Sequence, residues 1–181
     1  MLKCASFFAG VGGIDLGFEQ AGFEVVYANE FCEKASLTYK ENLTIPLDVR
    51  DIRNVQSDQI PDFDIMLAGF PCQAFSVAGY RQGFDDEKGR GNLYFELERI
   101  IKDKMPPIVF LENVKNLLGH DKGRTFSVIR NSLETLGYSI HYKVLNAADY
   151  GNIPQIRERI YVVGFLDEGA AQRFQFPGQI D

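Results

Sequence analysis

Residues 3–30, KCASFFAGVGGIDLGFEQAGFEVVYANE, decide the fold. An apolar run ends at Phe8, a glycine turn spans Gly10, Gly12 and Gly13, and IDLGFEQAG has helical apolar spacing with a stop at Gly22. FEVVYAN then reads as a second strand. The same alternation continues outward. CEKASLTYKEN (32–42) predicts a helix, IPLDV (45–49) a short strand and DFDIMLAGF (62–70) a fourth strand. NLYFELERIIKDK (92–104) predicts a helix capped by Asn92, and PPIVFLEN (106–113) a fifth strand. TFSVIRNSLETLG (125–137) predicts a helix ending at Gly137, and YSIHYKVLNA with RIYVVGF a closing pair of strands. Strands alternating with helices imply an α/β, mostly parallel sheet that binds ligands beyond the carboxyl ends of its strands. The tail, DEGAAQRFQFPGQID (167–181), reads as a linker or cut edge without a further core element. The expected division is a catalytic region over 1–165 and a linker over 166–181.

A chain of 181 residues with 45% hydrophobic and 24% charged residues suits one globular domain. No apolar stretch reaches membrane-spanning length, and MLKCASFFAG is too short to be a signal peptide, so a cytoplasmic location is expected. Cys4, Cys32 and Cys72 share no close spacing, and only His120 and His141 are present, so no metal site is expected. The net charge of −6 argues against a large nucleic-acid surface on this chain taken alone.

The glycine turn fits neither phosphate-cradling pattern. G-x-G-x-x-G would need glycine where Asp15 stands, and the P-loop would need Lys where Phe18 and Glu19 follow Gly17. Glu30, ending the second strand, has the interval of an acid that grips ribose hydroxyls. A ribose without a phosphate site points to an adenosine cofactor such as S-adenosylmethionine; the bland alternative is a tight turn beside a solvated acid. Asp48 and Asp51 are both candidates to accept a hydrogen bond from an adenine amine.

Cys72, after Pro71 in AGFPCQAFS (68–76), follows the fourth strand, and Glu112 in LENV ends the fifth. Adjacent parallel strands would bring both to one sheet edge. A thiolate with a carboxylic acid suits attack on an electron-poor ring that is protonated as it is attacked. Arg157 and Arg159, at i and i+2 in PQIRERIY, would share one face of an extended strand and supply positive charge. Against these stand simpler roles: Glu112 as the cap of a helix beginning at NVKNLL, and the arginines as an edge-strand charge ladder. Cys4 and Cys32 are read as small buried hydrophobes. A Cys–His hydrolase is disfavoured, since neither histidine lies in a comparable strand-end loop.

Together these stretches resemble the DNA (cytosine-5) methyltransferase family, bacterial restriction–modification type. The matching segments are FFAGVGGIDLGFEQAGFEVVYANE, DIRNV, DFDIMLAGFPCQAFS, GFDDEKGRGNLYFELERI, PPIVFLENVKNLL, LNAADYGNIPQIRERIYVVGF and FQFP, in family order over nearly the whole chain. The resemblance implies a Rossmann-like methyltransferase sheet with helices on both faces and an antiparallel closing strand. It implies that Phe8, Gly10, Gly12 and Gly13 border S-adenosyl-L-methionine, that Glu30 holds its ribose and that Phe31 stacks near the adenine. Asp51 is favoured over Asp48 at the adenine, with Ile52, Pro71 and Leu93 completing the cofactor contacts. Cys72 is then the nucleophile toward carbon 6 of a flipped-out cytosine in duplex DNA. Glu112 contacts ring nitrogen 3 and the amino group, Arg157 and Arg159 hold the base, and residues 73–91 form a mobile loop. Asn152 reads as an insertion beside the usual turn. The family's target-recognition domain and final helical segment have no counterpart here. The chain is therefore expected to be a fragment, or one subunit of a split enzyme, and inactive alone. A tRNA substrate and a non-catalytic scaffold subunit are the rival readings.

Overall fold

The computed structural model describes residues 1–71, 93–151 and 153–180. Its seven strands are β1 (Lys3–Phe7), β2 (Glu24–Asn29), β3 (Leu47–Asp48), β4 (Ile65–Gly69), β5 (Ile108–Val114), β6 (Ser139–Asn146) and β7 (Glu158–Phe165). The helices are α1 (Gly13–Gln20), α2 (Glu33–Asn42), α3 (Leu93–Lys104), α4 (Arg124–Thr135), α5 (Ala147–Tyr150) and α6 (Glu168–Arg173). One sheet runs in the order β3-β2-β1-β4-β5-β7-β6, with β7 antiparallel to both of its neighbours and the other pairs parallel.

Local chemistry sets the helix ends. At the end of α1, Gly22 takes φ 87°, its N–H reaches the Glu19 carbonyl at 3.0 Å, and the Phe23 N–H reaches Phe18 at 3.1 Å. The Phe18 and Phe23 rings meet at 5.2 Å, the apolar contact that accompanies this closing motif. Gly137, φ 96°, ends α4 the same way, with Tyr138 bonded back to Leu133.

Strand alternation divides the core between two faces. On one, Cys4, Ala28, Ile65 and Leu67 pack with Tyr39 of α2 and with Ile14 and Phe18 of α1. On the other, Ala5, Phe7, Met66, Ala68, Val109 and Leu111 pack against Leu97, Ile100 and Ile101 of α3 and Ile129 and Leu133 of α4. This two-faced distribution follows from the preferred right-handed crossover, because the chain winds outward in opposite directions from β1 and β4. Crevices form at such a switch point, beyond the carboxyl ends of the strands.

Two expectations differ from the structure. The tail is not a bare linker: Asp167 caps α6 by accepting the Ala170 N–H at 2.6 Å, and Ala171 is buried. Phe174 packs on Phe165 (ring centroids 5.2 Å) and His141 (5.5 Å), and the Ile180 N–H reaches the Asp149 carbonyl at 3.0 Å. An Asp cap followed by two alanines carries a helix too short to show periodicity. NVKNLL, expected to open a helix, forms only a 3-10 turn, Lys115–Leu118. No helix among the described residues is long and apolar enough to cross a membrane.

Candidate active site

The turn after β1 is built on left-handed backbone at Phe8 (φ 54°), Gly10 (φ 59°) and Gly12 (φ 88°). Glycine takes that conformation freely, whereas Phe8 is strained there. A side chain at Gly12 would stand 2.2 Å from Leu43 Cδ1 and 3.0 Å from Tyr39 Cε2. Beside Gly10 and Gly13 the space is open. Glu30 is half-buried and tied to this turn: Oε2 accepts the Gly10 N–H at 2.8 Å, and Oε1 accepts the Cys32 N–H at 2.6 Å. It is therefore not a freely solvated acid. Each carboxylate oxygen keeps lone-pair capacity for hydroxyl donors. Next to it, the Phe31 ring is 67% exposed.

The two candidate acids at the third strand end have different partners. Asp48 is engaged by Tyr27 Oη at 3.0 Å and by Arg50 through Nε and Nη2. Asp51 caps a 3-10 turn by accepting the Arg53 N–H at 3.0 Å and also pairs with the Arg53 guanidinium. The facing guanidinium holds each carboxyl below its usual range. Ile52 is buried in the core beneath Asp51, Leu93 is half-buried at the start of α3, and Pro71 is exposed.

Sheet register joins the turn to the second set of residues. Gly69, at the end of β4, lies opposite Glu112 of β5. A methyl at Gly69 would meet Glu112 Oε2 at 3.4 Å, Ile14 Cδ1 at 3.5 Å and the Phe8 carbonyl at 3.9 Å. Arg159 of β7 reaches across, with Nε 2.9 Å from Glu112 Oε1. Burial pushes the Glu112 carboxyl up, and the positive charges of Arg159 and Arg157 oppose that rise. The helix-cap role for Glu112 is thereby set aside, since it lies within a strand and faces an arginine. Only Arg159 belongs to β7. Arg157 precedes the strand, exposed, with its N–H on Asn146 Oδ1 at 2.9 Å.

Cys72, the loop over 73–91, Asn92 and Asn152 lie outside the described residues. The chain leading to Cys72 is held by Asn113, which is 3% exposed and donates from Nδ2 to the Phe70 carbonyl at 2.8 Å. Sequence reasoning passed over Asn113, because its partner is 43 positions away. Of the other cysteines, Cys4 is buried, and burial with the charge of Asp15 pushes its thiol up to about 12. Cys32 is not a buried hydrophobe. It is exposed at the start of α2, a position its neighbour Phe31, also turned to solvent, shares. No group of His, Cys, Asp and Glu fit to hold a metal occurs among the described residues.

A glycine turn and an acid thus stand at the switch point of a Rossmann-like α/β sheet, with a carboxylate–arginine pair beyond it. Residues 2–180 match the family profile of the C-5 cytosine-specific DNA methylases, and the chain belongs to that family. It is 59% identical over 178 residues to the type II methyltransferase M.Bsp6I of Bacillus sp. (strain RFL6), covering 98% of this chain and 56% of that protein. It is 48% identical to M.HhaI of Haemophilus parahaemolyticus, covering 97% and 53%. The chain thus spans about half the length of these relatives. Among solved structures, Spodoptera frugiperda DNMT2 superposes with TM-score 0.78 at 22% identity, covering 100% of this chain and 54% of that one. The Dnmt2 methyltransferase of S. pombe gives 0.75 at 21%, covering 98% and 53%. Those two likenesses concern the fold.

Proposed function

We propose that this chain is the catalytic half of a DNA cytosine-5 methyltransferase that uses S-adenosyl-L-methionine and attacks a flipped-out cytosine in duplex DNA through Cys72. The observation that carries the reading is the pairing, at 2.9 Å, of Arg159 with Glu112, which lies on the strand beside the one that leads to Cys72.

The cofactor half fits the residues present. Glu30, already anchored to Gly10 and Cys32, would accept the ribose hydroxyls. Phe31 offers an exposed face to the adenine, Asp51 an acceptor for its amine, and the open backbone at Gly10 and Gly13 room for close approach. S-adenosylmethionine bound there would supply an electrophilic methyl group for carbon 5 of the activated ring.

In the base half, cytosine must leave the stack before any side chain reaches it, at a cost on the order of a few kcal/mol. The Cys72 thiolate forms a bond to carbon 6 while the Glu112 carboxyl donates its proton toward ring nitrogen 3, so the ring electrons move to carbon 5. Burial keeps Glu112 protonated to a higher pH than an ordinary carboxyl, as an acid requires. Arg159 and Arg157 fix the orientation of Glu112 and of the base. After carbon 5 is methylated, a solvent base takes its proton, the electrons of that bond return to the ring and expel Cys72 as thiolate, and the nitrogen 3 proton goes back to the Glu112 carboxylate. An intact acid and arginine pair favours this reading over a scaffold subunit.

The remaining half of the protein, fused or separate, would read the DNA. It would also cover the half-buried row of rings running from Phe18 through Phe110 to Tyr161 (5.1 and 5.7 Å between centroids). We place the enzyme in the cytoplasm and expect this chain alone to bind cofactor weakly and transfer little methyl. The test is covalent trapping on duplex DNA containing 5-fluorocytosine, with the chain supplied with its remaining half. A denaturation-resistant adduct that Cys72→Ser abolishes supports the proposal. Failure of the complete enzyme to form one overturns it, and efficient duplex methylation by this chain alone overturns the claim of incompleteness.

A further inference from the structure

Asp15 is the one carboxylate in the glycine-turn region without a role so far, and it is 0% exposed. It stands in the first turn of α1, where a dinucleotide fingerprint has the glycine that lets helix and strand pack closely. The structure joins helix to strand differently there. Ser6 Oγ of β1 donates to Asp15 Oδ1 at 2.5 Å, and Tyr39 Oη of α2 donates to Oδ2 at 2.6 Å. Tyr39 is itself fully buried, and its ring edge lies 3.0 Å from where a Cβ at Gly12 would stand, behind the nearer Leu43 methyl at 2.2 Å. The glycine turn is therefore held from two sides. Glu30 takes the Gly10 N–H on the side facing the crevice, and the Asp15–Tyr39 unit fixes the ring against which Gly12 rests.

We infer that Asp15, with Ser6 and Tyr39, is a positioning residue for the cofactor: it sets how the glycine turn seats on α2 and so the placement of the Gly10 backbone and Glu30, against which the adenosine would lie. The inference rests on the reading of that turn as the S-adenosylmethionine site. The physical reason is that the three groups depend on one another. Burial disfavours an ionised Asp15, and the two hydroxyl hydrogen bonds offset that cost. Removing the Tyr39 hydroxyl leaves a buried carboxylate oxygen short of a donor, and the ring is then free to shift against Gly12 and Leu43, the residue that follows α2.

The test measures S-adenosylhomocysteine binding by calorimetry, and the cofactor KM against kcat, on the chain supplied with its remaining half. All variants are compared well below their unfolding temperatures. Tyr39→Phe and Asp15→Ala should each weaken binding by about tenfold and raise the cofactor KM while leaving kcat nearly unchanged. The double variant should be no worse than Asp15→Ala, because the pair acts as one unit. Asp15→Asn, whose amide can still accept from Tyr39 and bond to Ser6, should bind nearly as the native protein does. A matched loss of stability at a distance, Ile129→Val in α4, should leave binding unchanged. Native affinity in Tyr39→Phe overturns the inference even where Asp15→Ala fails to fold. Absence of binding by the native protein overturns the cofactor reading itself, a separable result.

Discussion

Glu112 shows how the surroundings of one side chain change its chemistry. Burial raises its pKa, so the carboxyl keeps its proton to higher pH than a solvated glutamate, and Arg159 and Arg157 limit the rise. The sign follows directly. The proton-donating form dominates below the raised value and is lost as pH climbs through it, so methyl transfer should decline on the alkaline side. Glu112→Gln should lower kcat by about 10²–10⁴-fold and remove that alkaline dependence, measured as tritium transfer to duplex DNA by the complete enzyme across pH. At this scale the placement of Glu112 and Glu30 near strand ends was legible, because the apolar runs before them mark where each strand closes. Asp15, Asn113 and the exposure of Cys32 were not. Their environment is set by Tyr39, Phe70 and the turn into α2, and nothing in local sequence places those groups beside them.

At the scale of elements, the turn between β1 and α1 concentrates the constraint. Gly12 combines φ 88° with a neighbouring Leu43 methyl 2.2 Å from where a Cβ would lie, whereas Gly13 has open space and ordinary backbone. Gly12→Ala should therefore destabilise the chain by about 2–4 kcal/mol, the sum of left-handed strain and overpacking. Gly13→Ala should change stability by less than about 0.5 kcal/mol. Paired urea titrations check the contrast. The glycines were visible in sequence, but two of them look alike there, and only the folded backbone and the packing against Tyr39 and Leu43 separate them. The helix ends at Gly22 and Gly137 were visible for the opposite reason, since a closing glycine needs no distant partner.

On the scale of the whole molecule, the order β3-β2-β1-β4-β5-β7-β6 brings the turn after β1 and the chain end of β4 together at one edge. The tail returns along the sheet to the same edge, where Ile180 meets Asp149. Phe174 fastens that return, its ring lying near Phe165, His141 and Phe176 at 5.2, 5.5 and 5.0 Å. Phe174→Ala should cost about 2 kcal/mol, less than a fully buried aromatic because the ring is half-exposed. A shift of the urea midpoint at constant slope would register that loss, whereas a detached linker would leave the midpoint unmoved.

The amino-acid sequence by itself determined the alternation of strands and helices, the glycine turn and the kinds of side chain at each strand end. Those depend on spacing, backbone freedom and residue chemistry over a few neighbours. Tertiary structure alone decided that Glu112 faces Arg159 and that Asp15 binds Ser6 and Tyr39. It alone turned Cys32 outward and folded the tail onto β6 and β7. Each of these is a contact between elements, fixed by which face of the sheet a side chain takes and by what packs there.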